Sequence, residues 1–133
     1  MDKVKVYAEA EINLTESEEK VRQAVANMFG DMPAHTKTLH KGNLLVAEAT
    51  GLDALNSFQS LLRREHIRNA ARGVFYEGLE KNRVSFCLNK QVAFVGHISF
   101  SKEVAESPLG PIRVKIECDN PRQLIDWLAP RNV

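Results

Sequence analysis

From Lys3 to Leu14 the chain alternates almost without error. Val4, Val6, Ala8, Ala10, Ile12 and Leu14 fall on one side, and Lys3, Lys5, Tyr7, Glu9, Glu11 and Asn13 on the other. A period of two with one apolar side predicts a half-buried strand. Thr15 with Glu18 three residues on has the form of a capping box, and Glu16, Glu18 and Glu19 suit the positive end of a helix dipole. Val21, Ala24, Val25 and Met28 then supply the apolar stripe of a first helix, which Gly30 ends. Strands around Thr36–His40 and Leu44–Ala49, joined at Lys41-Gly42-Asn43, predict a hairpin. Leu55, Phe58 and Leu62 mark a second helix, and Ile67, Ala70, Ala71, Val74, Phe75 and Leu79 a third. The two either run on continuously or bend near Glu65–His66.

The stretch Leu88–Phe100 reads as a turn feeding a long strand. Val92, Phe94, Ile98 and Phe100 lie on one side, and Ala93 and Val95 on the other with His97 and Ser99. A strand apolar on both sides has to be covered twice. Pairing it with the strand of Val84, Phe86 and Leu88 across a three-residue loop Asn89-Lys90-Gln91 aligns both apolar rows. The second face, with Cys87, Ala93, Val95 and His97, is then covered either by loops or by a second copy of the chain. A two-fold homodimer is the simplest cover, and these four residues are its expected interface. After a polar connection over Ser101–Pro111, Ile112, Val114, Ile116 and Cys118 form another amphipathic strand. Asn120-Pro121 starts a last helix, with Leu124, Trp127 and Leu128 inward and Pro130 as its stop. The order predicts an α+β fold with two layers, a mainly antiparallel sheet carrying helices on one face, as a single domain over residues 1–133.

Composition narrows the function classes. The chain has 133 residues and a formal net charge of +1, so any polyanion site has to be a local patch. No apolar run reaches the length of a membrane span and no signal-like segment is present, which predicts a cytoplasmic protein without membrane contact. Cys87 and Cys118 fall on opposite faces of their strands and make no disulfide framework.

The charges are unevenly spread. Residues 61–90 hold seven basic and three acidic residues, whereas the first 31 hold seven acidic and four basic. Arg64, Arg68 and Arg72 are spaced by four, so a continuous helix aligns them in one stripe, with Arg63 beside it. Guanidinium groups at helix-turn spacing suit phosphate backbones. Alternatively the same stripe is simply solvated, or pairs with Glu65 and the acidic first helix. Asn89, Lys90 and Gln91 at the expected hairpin tip either reach RNA or only serve the turn. Tyr7 is the one aromatic on a polar strand face, too little for a base-stacking sheet of the RRM kind. His35, His40, His66 and His97 match no ligand spacing, and the glycines form no phosphate loop, so neither catalysis, metal nor cofactor is expected. Gly96 in mid-strand reads as a bulge or a close approach.

Several runs together are similar to an archaeal family of uncharacterised proteins, the UPF0201 family. They are Glu18-Glu19-Lys20-Val21, Leu62-Arg63 through Ile67 to Ala71-Arg72, Leu88-Asn89-Lys90-Gln91-Val92-Ala93, and Gly96 with Phe100. Leu109-Gly110-Pro111-Ile112 and Trp127-Leu128-Ala129-Pro130 extend the likeness over nearly the whole chain, in order. The resemblance implies a fold like that of ribosomal protein L5, a dimer, and a link to RNA as predicted RNA-binding or exosome-associated proteins. The combined expectation is a non-catalytic RNA-binding or ribonucleoprotein-associated protein, probed by Arg63, Arg64, Arg68, Arg72, Asn89, Lys90 and Gln91. The alternatives are a homodimeric protein-interaction module and an RNA-processing enzyme.

Overall fold

Alternation becomes sheet, and the 3.6-residue stripes become the layer behind it. A computed structural model describes residues 3–102 and 109–131. The strands are β1 (Lys5–Ile12), β2 (Ala34–Thr38), β3 (Asn43–Thr50), β4 (Leu79–Glu80), β5 (Arg83–Asn89), β6 (Phe100–Ser101) and β7 (Pro111–Glu117). The helices are α1 (Glu18–Phe29), α2 (Asn56–Arg64), α3 (Arg68–Glu77), α4 (Lys90–Phe94) and α5 (Pro121–Leu128). All strand pairs are antiparallel, in the order β2-β3-β1-β7-β5-β4, and β6 pairs with β5 on the side that β4 also uses. This is the expected α+β architecture. The polar connection expected over Ser101–Pro111 falls largely on residues 103–108, outside the described residues.

Register decides which side chains meet the helices. Val6, Ala8 and Ala10 of β1 stand opposite Ile116, Val114 and Ile112 of β7, and Val84, Phe86 and Leu88 of β5 continue the same rows. All are buried and belong to one apolar cluster with α1, α2, α3 and α5. Aromatic rings bind the layers together: Phe58 lies 5.1 Å from Phe29 and 5.6 Å from Phe86, and Phe75 lies 5.0 Å from Phe86 and 5.8 Å from Phe100. Such pairs add to the area they bury. Gly78 ends α3 where a β-carbon would collide with the Ser85 carbonyl oxygen, so that junction takes no side chain.

The long two-faced strand is absent. After β5 the chain turns into α4, and only Phe100–Ser101 returns to the sheet. Both ends of α4 are specified. The Asn89 side chain accepts from the Val92 N–H at 2.9 Å, which is an N-cap. At the other end Gly96 has φ +89°, its N–H donates to Ala93 O, and the His97 N–H donates to Val92 O. That double bond pattern is a Schellman close. Asn27 of α1 donates to the Ala93 and Phe94 carbonyls at 3.0 and 2.9 Å, which finishes the exposed helix end. The expected hairpin loop Asn89-Lys90-Gln91 is therefore the start of a helix, and Gly96 is its closing residue rather than a bulge. A smaller correction concerns α1: Ser17, not Thr15, caps it, while Glu16 accepts from the Asn13 N–H.

These observations predict the response to Gly96→Val. Space is open around Gly96, so the cost comes from backbone alone, about 1–2 kcal/mol for a β-branched residue at positive φ. A strand at this position would instead gain from valine. Urea denaturation of the two proteins separates the outcomes.

Candidate nucleic-acid interface

The arginine stripe is broken into an elbow. The α2 helix stops at Arg64, His66 takes the left-handed φ of +56°, and α3 begins at Arg68. Left-handed geometry at a non-glycine residue turns the chain sharply, so Arg64 and Arg68 sit on different helices. Arg63, Arg64 and His66 are exposed and Arg68 is half-buried. The one carboxylate between residues 54 and 76 is Glu65. Its Oε1 accepts from the Ile98 N–H at 3.2 Å and lies 2.9 Å from His97 Nδ1. The His97 contact, with the Ile98 amide and the charge of Arg64 adding to it, holds the Glu65 carboxyl below the ordinary range. The elbow thus has its acidic residue engaged by a neighbouring loop.

Arg72 does not share this exposure. Its side chain is 14% exposed, with Nη2 2.7 Å from Asp126 Oδ1 and Nη1 donating to Ala129 O at 3.1 Å. The guanidinium carbon also lies 5.2 Å from the centre of the Tyr76 ring. It fastens α3 to α5, so the expected stripe loses its last member to the fold.

The Asn89–Gln91 segment is corrected more strongly. Asn89 uses its side-chain oxygen as the α4 cap. Lys90 is 3% exposed, and its ammonium donates to Glu11 O at 2.8 Å, Glu16 Oε1 at 2.8 Å and Leu109 O at 2.7 Å. With three donors and three acceptors, nothing is left for a phosphate. Burial pushes the Glu16 carboxyl up, but hydrogen bonds from Lys90 and from Asn13 outweigh it and leave the group below its ordinary value. Gln91 alone of the three is exposed.

The four residues expected on one dimer face are also dispersed. Ala93 is buried in the core. Cys87 is half-buried on the far side of β5, opposite Arg113 and Ser101. Val95 is 66% exposed beyond α4, and His97 is held at Glu65. The common strand face that joined them does not exist.

The side of the sheet away from the helices was not singled out by the sequence. Its cross-strand rows are Thr50–Lys5–Glu117–Arg83 and Glu48–Tyr7–Lys115–Ser85, followed by His35–Val46–Glu9–Arg113–Cys87. A groove of about 850 Å³ crosses the first two rows, lined by Lys5, Tyr7, Arg83, Lys115, Glu48 and Glu117 beside Pro33. Tyr7 donates to Glu9 Oε2 at 2.9 Å, and the Lys115 ammonium lies 6.0 Å from its ring centre. Burial first, then the Glu9 hydrogen bond and the charges of Glu9 and Glu48, push the phenol up to about 12, so it stays neutral. The signal in the sequence was Tyr7 itself, a lone ring among charged positions of a strand.

Among the described residues, no group of three or more His, Cys, Asp or Glu side chains is placed to hold a metal ion. None of their helices is long and apolar enough to cross a membrane.

A helix-backed open antiparallel sheet with a cationic helix elbow and a grooved, charged bare face defines an α+β protein. Residues 5–118 match the model of a family described as RNA binding. The UPF0201 protein of Pyrobaculum islandicum is 40% identical over 129 residues, covering 96% of this chain and 90% of that one. The UPF0201 protein of Sulfurisphaera tokodaii is 43% identical over 127 residues, covering 96% and 88%. The crystal structure of a UPF0201 protein from Methanococcus jannaschii superposes with a TM-score of 0.85 at 28% identity, over 97% of this chain and 95% of that one. The chain belongs to the UPF0201 family.

The buried ammonium of Lys90 sets a test of this geometry. Lys90→Met strands the Glu16 carboxylate, which is 13% exposed, and costs roughly 3–5 kcal/mol. Because the folded Glu16 value is lowered, its contribution is complete above its unfolded value and is lost as pH falls through the folded one. The wild type therefore loses stability steadily below about pH 5, and Lys90→Met shows a shallower loss over that range in acid titrations of the melting temperature.

Proposed function

We propose that the protein binds RNA without catalysing its turnover, and that the elbow between α2 and α3 supplies the phosphate contacts. The observation that carries this reading is the concentration of Arg63, Arg64 and Arg68 around His66, with Glu65 engaged by His97 and Ile98. Guanidinium forks fit phosphate oxygens in pairs, and Arg63 and Arg64 are exposed where an outside anion can reach them. The RNA-binding description of the matched family supports the same class of ligand, while the fold alone carries no function. The elbow replaces the straight stripe, and Arg72, Asn89 and Lys90 act as structural residues of the same region.

A protein-interaction role is the second reading, in which a homodimer or an adaptor buries apolar surface. The observation that favours it is the exposure of Phe94 at 39% and Val95 at 66% beyond the core. Val95 belonged to the expected dimer face.

Titration of a 20-nucleotide single strand at two salt concentrations distinguishes the readings. Arg63→Glu with Arg64→Glu lowers affinity at least tenfold at low salt and flattens the salt dependence by about 1.4 in log–log slope, near 0.7 for each lost phosphate contact. Unchanged affinity in the double variant contradicts the elbow. No binding by the wild type at low ionic strength contradicts RNA altogether and leaves the protein interface.

A further inference from the structure

The bare side of the sheet has chemistry that the elbow does not use. An antiparallel sheet tolerates water on one face, and the simplest far side is a set of cross-strand ion pairs. Part of this one has a matching register, with Glu9 opposite Arg113. The groove departs from it. Three cationic side chains, Lys5, Arg83 and Lys115, line it with Tyr7 and two carboxylates, Glu48 and Glu117, while Glu9 holds the Tyr7 hydroxyl. Their attachment is slack compared with Arg72. Arg83 Nη2 reaches Glu80 only at 3.5 Å, and its Nε–H is buried with no hydrogen-bond partner among the described residues. Lys115 is exposed and rests near a π face rather than on a carboxylate.

We propose that this groove is a base-stacking subsite for single-stranded RNA, in which one nucleobase lies on Tyr7 and the flanking phosphates meet Lys5, Lys115 and Arg83. The proposal rests on the RNA-binding reading above and adds a second contact surface, on the opposite side of the sheet from the helices. The side chains argue for the occupant: a neutral aromatic ring fits the flat face of a base, Lys5, Lys115 and Arg83 are placed for its flanking phosphates, and the carboxylates among them suit neither an apolar peptide nor a bare anion. The groove's size, about 850 Å³, is that of a small-molecule cleft and accommodates a nucleotide. Duplex RNA, whose bases are stacked inside, has no base to offer it.

The test uses the full chain and a 20-nucleotide single strand carrying 4-thiouridine. The variants are Tyr7→Leu, Tyr7→Phe and Lys115→Glu, each checked for an unaltered melting curve. Stacking on one aromatic ring corresponds to a loss of about ten- to a hundredfold in affinity when the ring is removed. Tyr7→Leu is expected to show that loss with no change in salt slope, Tyr7→Phe to bind like the wild type, and Lys115→Glu to lose both affinity and slope. Photocrosslinks are expected on the β1 or β7 peptide. Wild-type binding with Tyr7→Leu unaffected and crosslinks elsewhere overturns the subsite but leaves the elbow standing. Absence of binding by the wild type overturns both. Altered melting in Tyr7→Leu leaves Lys115→Glu and the crosslink map to decide by the same criteria.

Discussion

The ammonium of Lys90 is the constraint around which this end of the molecule is arranged. A charge removed from water has to be paired and fully hydrogen-bonded. Here its acceptors come from the end of β1, from the loop before α1 and from the carbonyl of Leu109 before β7. Three separate segments converge on one side chain. For Lys90 to reach them, the chain must leave the sheet right after Asn89, and the five-residue helix α4 with its two specified ends is how it leaves. Packing of α4 against α1 through Asn27 follows. So does the shortness of β6, because the residues that might have lengthened it are spent in the helix and its return.

The same logic sorts the cations. Arginine and lysine serve as fasteners wherever backbone carbonyls or a carboxylate converge on them, as at Lys90 and Arg72. They remain surface groups where the chain turns outward, as Arg63 and Arg64 do at the end of α2. A near-neutral chain can therefore present a cationic corner without an excess of positive charge. The bare side of the sheet shows an intermediate condition, with acidic and basic residues in register across β1 and β7 and a groove about Tyr7 in which loosely held cations and carboxylates mix.

Much of the fold was legible as periodicity. The strand expected over Lys3 to Leu14, which is kept as Lys5–Ile12, the stripe of α1 and the helix after Asn120-Pro121 rest on patterns long enough to be unambiguous, whereas the bend at Glu65–His66 was one of two choices left open. The segment from Lys90 to Phe100 was not legible in that way. A run of small and apolar residues fits a buried strand as well as a short helix, and only the spacing of Asn89 and Gly96, cap and closing residue seven apart, distinguishes them. For the site, the sequence displayed where positive charge accumulates but not what it touches. Arg68 and Arg72 look alike in a row of letters; the carboxylate and the carbonyl that hold Arg72 lie more than fifty positions away, on α5 and just beyond it. Tyr7 was visible as an oddity, yet Lys115 and Arg83 become its neighbours only through the register of β1, β7 and β5.

The most direct measurement is a backbone amide NMR titration of the isotope-labelled chain with a short single-stranded RNA at low ionic strength. The account requires shifts in two groups, residues 63–68 at the elbow and the β1 and β7 positions around Tyr7 and Lys115, both reversed by added salt. A spectrum that stays unchanged, or one whose changes are confined to Phe94 and Val95, contradicts it.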